Sequence, residues 1–151
     1  MQGRLKRILR VLGRGRAVFI LLGWGVMMAG SVLSAIFQGY LLPSTYYGGA
    51  GNSLPIGVWL PYLEVFGASV LAGIVMKDAA RTILSFFVSY GLAAFLTYIV
   101  LALPGLVGTF PFADLLSRDA AVISFTAFFP ITLLAGILGS VFGSGLSEKL
   151  L

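Results

Sequence analysis

The sequence has no cysteine and no histidine among its 151 residues. No disulfide can form, and the commonest ligands of zinc, haem and iron–sulfur clusters are missing. Ser-His and Cys-His nucleophile–base pairs are excluded as well. With no phosphate-binding loop and no second acid close to Glu64 in the chain, an enzyme is not expected, nor is a cofactor or a metal site. Charge is also scarce. Only 10% of the residues are charged, against about 25% in a soluble domain.

Hydrophobic residues make up 59% of the chain, and the mean hydropathy is +1.03. A chain this short has too little interior to hide them all from water. The expected solvent is therefore lipid, and the expected fold class is an all-α integral membrane protein. Four continuous apolar runs, at about 17–42, 56–76, 82–103 and 120–146, are each long enough to cross roughly 30 Å of hydrocarbon as a helix. They do not alternate with the period of two that a barrel strand needs.

Lysine and arginine set the expected orientation. If the N-terminus lies inside, nine of the ten basic residues share that side, and Arg118 alone lies outside. The expectation is thus an antiparallel bundle of four spans with both termini inside, in the cell membrane. The first run is longer than a signal-peptide core, and AGSVLSA is a poor cleavage site, so it reads as a membrane anchor.

The chain divides into a basic juxtamembrane segment, 1–16, and a transmembrane domain, 17–151. In the first, RLKRILRVL spaces Leu5, Ile8, Leu9 and Leu12 as one helical face. The pattern suits a short amphipathic helix on the inner leaflet, broken near Gly13 and Gly15. A disordered basic tail that only enforces topology fits equally. Arg4, Lys6, Arg7, Arg10, Arg14 and Arg16 are the expected contacts to anionic headgroups. So local a patch beside a span does not suggest nucleic-acid binding.

The first outer loop, PSTYYGGAGNSLP, is uncharged and turn-rich. Tyr46 and Tyr47 suit the headgroup level, and Asn52 is not a glycosylation acceptor. The inner connection, MKDAAR, is short enough for a helical hairpin, with Asp78 as the cap of the third helix. In the second outer loop, PFADLLSRD pairs Asp114 with Arg118 at helical spacing and suits a short surface helix.

Glu64 is the acid inside the second apolar run. It follows the interfacial residues Trp59 and Tyr62 and falls about 10 Å into the helix. Leu60, Pro61, Gly67 and Ala68 lie a turn away, so the carboxylate is expected on a small-residue side that points into the bundle. Gln38, Thr97, Tyr98, Ser124 and Thr126 fall at similar depth, which suggests a polar layer of Glu64 with Gln38, Thr97 or Thr126. Such an acid either joins helices by hydrogen bonds, pairs with a cation of another subunit, or holds a proton or cation on a path.

The fourth run carries the clearest packing pattern. TLLAGILGSVFGSG spaces Ala135, Gly139 and Gly143 four apart, with Gly136, Ser140 and Ser144 beside them. Two adjacent ridges of small residues let another backbone approach, within the bundle or from another chain. Smaller versions occur at Gly30 and Ser34 and at Ser69 and Gly73. Pro130 is expected to kink this helix.

With small loops and dense small-residue packing, the chain reads as an accessory or assembly subunit of a larger membrane complex. Its partners would be other membrane subunits or copies of itself. The alternative is a homo-oligomeric channel or transporter that uses Glu64.

Overall fold

The computed structural model describes residues 2–40, 56–109 and 112–150, and the side chains of 15, 17–40, 58–109 and 112–149. The described residues form five α-helices and no strand. Residues 41–55, with Tyr46, Tyr47 and Asn52, lie outside them.

Helix α1 runs from Gln2 to Phe37 without interruption. The break expected near Gly13 and Gly15 is absent. Each glycine costs about 1 kcal/mol in a helix, and the flanking leucines and arginines are good helix formers. The apolar part is Ala17–Phe37. The helix stops short of residue 42 because Gly39 takes φ 79°. The Gly39 amide then bonds the Ile36 carbonyl at 2.9 Å and the Tyr40 amide bonds that of Ala35 at 2.8 Å, a Schellman turn.

A 3₁₀ turn, Ile56–Trp59, leads into α2, Leu60–Met76, which has Pro61 in its first turn, where a missing amide costs nothing. Lys77 ends α2 in a left-handed conformation and Asp78 begins α3, Ala79–Leu106. The Asp78 carboxylate accepts from the amides of Ala80 at 3.0 Å and Arg81 at 3.3 Å. This is the cap that the sequence suggests.

The run expected as one kinked helix over 120–146 is two helices. They are α4, Ala113–Phe128, and α5, Ile131–Leu150. Between them lies Phe129–Pro130, whose peptide bond is cis. Proline has no amide to continue the ladder, and side chains take the carbonyls at the break. The Tyr90 hydroxyl donates to Phe128 O at 2.7 Å and the Thr132 hydroxyl to Ala127 O at 2.7 Å. Helix α4 also takes in the Asp114–Arg118 stretch, so the short surface helix and the start of the fourth run are one element.

Three helical segments are long and apolar enough to cross a membrane: Ala17–Phe37, Ala79–Leu106 and Ile131–Lys149. They are consistent with a multi-pass membrane protein. Helix α2 is apolar but shorter, at 17 residues.

The helices do not form a simple antiparallel ring. Helix α1 is antiparallel to α2, since Gln38 lies by Leu60 and Glu64 while Trp24 lies by Ala68 and Ala72. Helix α4 is antiparallel to α3, with Ser124 bonded to Ala94 and Ser117 to Tyr98. The most extensive packing, however, joins α2 to α5, and α1 to α3 comes next. Helices α2 and α5 are parallel: Gly139 meets Phe66 and Ser69, and Gly143 meets Val70.

Glycine makes the α2–α5 contact possible. A Cβ on Gly139 would come within 2.5 Å of Phe66 O and 2.8 Å of Ser69 Cβ, and one on Gly143 would collide with Val70 O. From the other side, a Cβ on Gly73 would lie 2.8 Å from Ser140 O. An aromatic chain closes the middle of the core: Trp24 to Phe86 at 5.7 Å, Phe86 to Tyr90 at 5.6 Å and Tyr90 to Phe128 at 5.4 Å, all ordinary separations for tilted or edge-on rings.

Candidate functional site

The face that α2 buries is Pro61, Val65, Ala68, Ser69, Ala72 and Gly73. Glu64 lies at the edge of that face and is exposed. Its carboxylate does not point into the bundle, as its neighbours in sequence suggest. The reason lies in α5. Because α5 supplies the glycines, α2 can present the backbone of Phe66 and Val70 to it whatever their side chains. That rotation turns Glu64 outward, toward the seam between α1 and α2.

At the seam Glu64 meets a polar row of α1. Ser31, Ser34 and Gln38, with Tyr40, Leu60 and Pro61, line the same cleft. Residues 31, 34 and 38 fall on one face of a helix by their spacing. The Gln38 side-chain amide donates to the Ser34 hydroxyl at 2.9 Å. The cleft has about 20 Å³ open to a small group, enough for a water molecule and too little for an organic substrate.

Below it the seam turns apolar. Ile20, Trp24 and Met27 of α1 face Ala68, Leu71, Ala72 and Val75 of α2 across a groove of about 190 Å³. The seam therefore has a polar upper end and an apolar lower part, and both open outward.

The other candidates for a polar layer lie elsewhere. Thr97 is fully buried on α3, and its hydroxyl finds no partner among the described residues. Thr126 is exposed on α4 and returns its hydroxyl to the carbonyls of Val122 and Ile123. Ser124 and Tyr98 tie α3 to α4. Of these residues, Gln38 alone shares the cleft with Glu64.

Ala135 is half-buried on α5. Gly136, Gly139, Ser140 and Gly143 are buried. Gly136 packs against the Phe86 ring, and Gly139 and Gly143 pack against α2. The Ser140 hydroxyl donates to Gly136 O at 2.8 Å. Arg4, Lys6, Arg7, Arg10, Arg14 and Arg16 fall on the first half of α1, and their side chains lie outside the described ones.

Sequence reasoning missed Ser31, Ser34 and Tyr40 as neighbours of Glu64. The spacing of Ser31, Ser34 and Gln38 was the available signal. Among the described residues no group of His, Cys, Asp or Glu could hold a metal ion. No protein-family model matches the chain, and no curated protein or solved structure is significantly similar to it.

Proposed function

We propose that the chain is a non-catalytic accessory or assembly subunit of a larger membrane complex, with four spans and both ends on the inner side of the cell membrane. The observation that carries this reading is Glu64, exposed at an outward-facing seam beside Ser31, Ser34 and Gln38. A carboxylate is costly against lipid, and a polar seam on the outside of a bundle suits contact with another membrane chain.

The helix directions support the four-span topology. A tight hairpin joins α2 to α3, and α2 is parallel to α5. Lys77, Arg81 and Lys149 then fall at one end, which suits an inner face rich in basic residues. In this topology α4 and α5 together make one crossing. Helix α2, about 25 Å long, serves as the shortest span. The basic first half of α1 lies near anionic headgroups of the inner leaflet.

A second reading has one observation in its favour. The cleft at Glu64 is large enough for a water molecule or a bare cation, which suits a homo-oligomeric channel or transporter. Extraction from native membranes in mild detergent, with sizing and mass spectrometry, separates the two. Other polypeptides in fixed ratio are expected. A particle made of this chain alone would overturn the subunit reading.

A further inference from the structure

We propose that the α1–α2 seam receives a single transmembrane helix of another chain, one that carries a lysine or arginine in its outer third. The inference rests on the subunit reading and names the chemistry of the partner.

Charge at the seam is one-sided. Glu64 is exposed at the seam, and among the described residues no lysine or arginine lines its cleft. Lys77 and Arg81 flank the turn at the far end of α2, and Lys149 closes α5. Arg118 lies on α4, whose main packing is on α3, with smaller contacts to α5 and α1, and the ion pair found among the described residues is Arg81–Asp78. The basic residues of α1 precede its apolar part. A glutamate side chain is too short to reach past Trp59, about 7.5 Å up the helix axis, to the interface. A cation of another chain at the same depth would supply the counter-charge that the described residues do not.

The shape and depth of the seam suit a helix better than a lipid headgroup. The polar row on α1 continues from Gln38 down to Ser31, about 10 Å along the helix. A headgroup stays at the interface, whereas a helix meets polar groups all the way down. Below that row, the apolar groove at Trp24, Met27, Leu71 and Val75 continues along the same seam. From Glu64 to Leu71 is two turns. The partner helix is thus expected to place its cation about two turns from an apolar side chain that enters the groove.

The test uses the full chain in phosphatidylcholine vesicles, with a fluorescent leucine–alanine helix of about 24 residues as probe. The probe carries lysine five residues from its outer end. In one control norleucine replaces that lysine, and in another the lysine sits at the centre. Energy transfer reads association. The outer lysine is expected to strengthen it about tenfold over norleucine, and Glu64→Gln is expected to abolish that gain. Phe95→Leu, on an exposed face of α3, is expected to leave it unchanged.

Equal association of the lysine and norleucine probes would overturn the proposal, as would a gain that survives Glu64→Gln or follows a central lysine. A gain lost on adding phosphatidylethanolamine, with that lipid retained by the wild type and not by Glu64→Gln, would make a headgroup the occupant and also overturn it. If native sizing finds partner polypeptides while the probes associate equally, the subunit reading stands and this inference falls.

Discussion

Tyr90 and Asp78 are two residues whose work is local and measurable. Tyr90 packs its ring between Phe86 and Phe128 and gives its hydroxyl to the Phe128 carbonyl, which the helix break leaves without an amide. Tyr90→Phe keeps the ring and orphans the carbonyl. It is expected to cost about 1–3 kcal/mol, read as thermal unfolding in mild detergent. Asp78→Ala removes the cap of α3 and is expected to cost about 1 kcal/mol. Arg81→Ala removes only an exposed pair with Asp78 at 3.4 Å and is expected to change little. Asp78 could be read from the sequence because a cap depends on residues two and three positions away. The direction of Glu64 could not. It depends on which face of α2 meets α5, a contact between segments far apart in the chain, such as Phe66 with Gly139.

Glycine decides how the helices pack. The ridge of Gly139 and Gly143 was legible as a packing surface, but the sequence left its partner open between this bundle and another chain. In the structure it meets the backbone of α2, where no side chain can move aside. Gly143→Leu is therefore expected to separate α2 from α5 and abolish a cooperative unfolding transition. An unchanged transition with an altered assembly size would mean that the ridge faces another chain. By contrast, a Cβ on Gly67 or Gly91 meets nothing, and Gly67→Ala and Gly91→Ala are expected to be neutral or to stabilise by up to about 1 kcal/mol. Pro130 was legible as a disturbance of the fourth run. That it divides the run into two helices was not, because the break is tolerated through Tyr90, on α3, together with Thr132.

For the whole molecule, the lack of cysteine provides a clean background for topology mapping. In intact cells, a membrane-impermeant maleimide is expected to label Ser53→Cys and to spare Gln2→Cys, Ala80→Cys and Glu148→Cys until the cells are opened. Labelling of Ala80→Cys from outside would exclude α2 as a span. The apolar runs made an all-helical chain with helices long enough to cross a membrane legible, since run length and composition are local properties. The parallel packing of α2 with α5 was not, because run lengths say nothing about which helices touch. The α1–α2 seam is proposed as a face covered by another membrane chain. Photo-crosslinking in native membranes tests it most directly, with benzoylphenylalanine placed at Ser34 or Leu71 on the seam and at Leu84 or Phe95 on exposed faces of α3. One polypeptide adduct of constant mass is expected from both seam positions and none from α3. Adducts of equal yield from every face, or none from the seam, would contradict it.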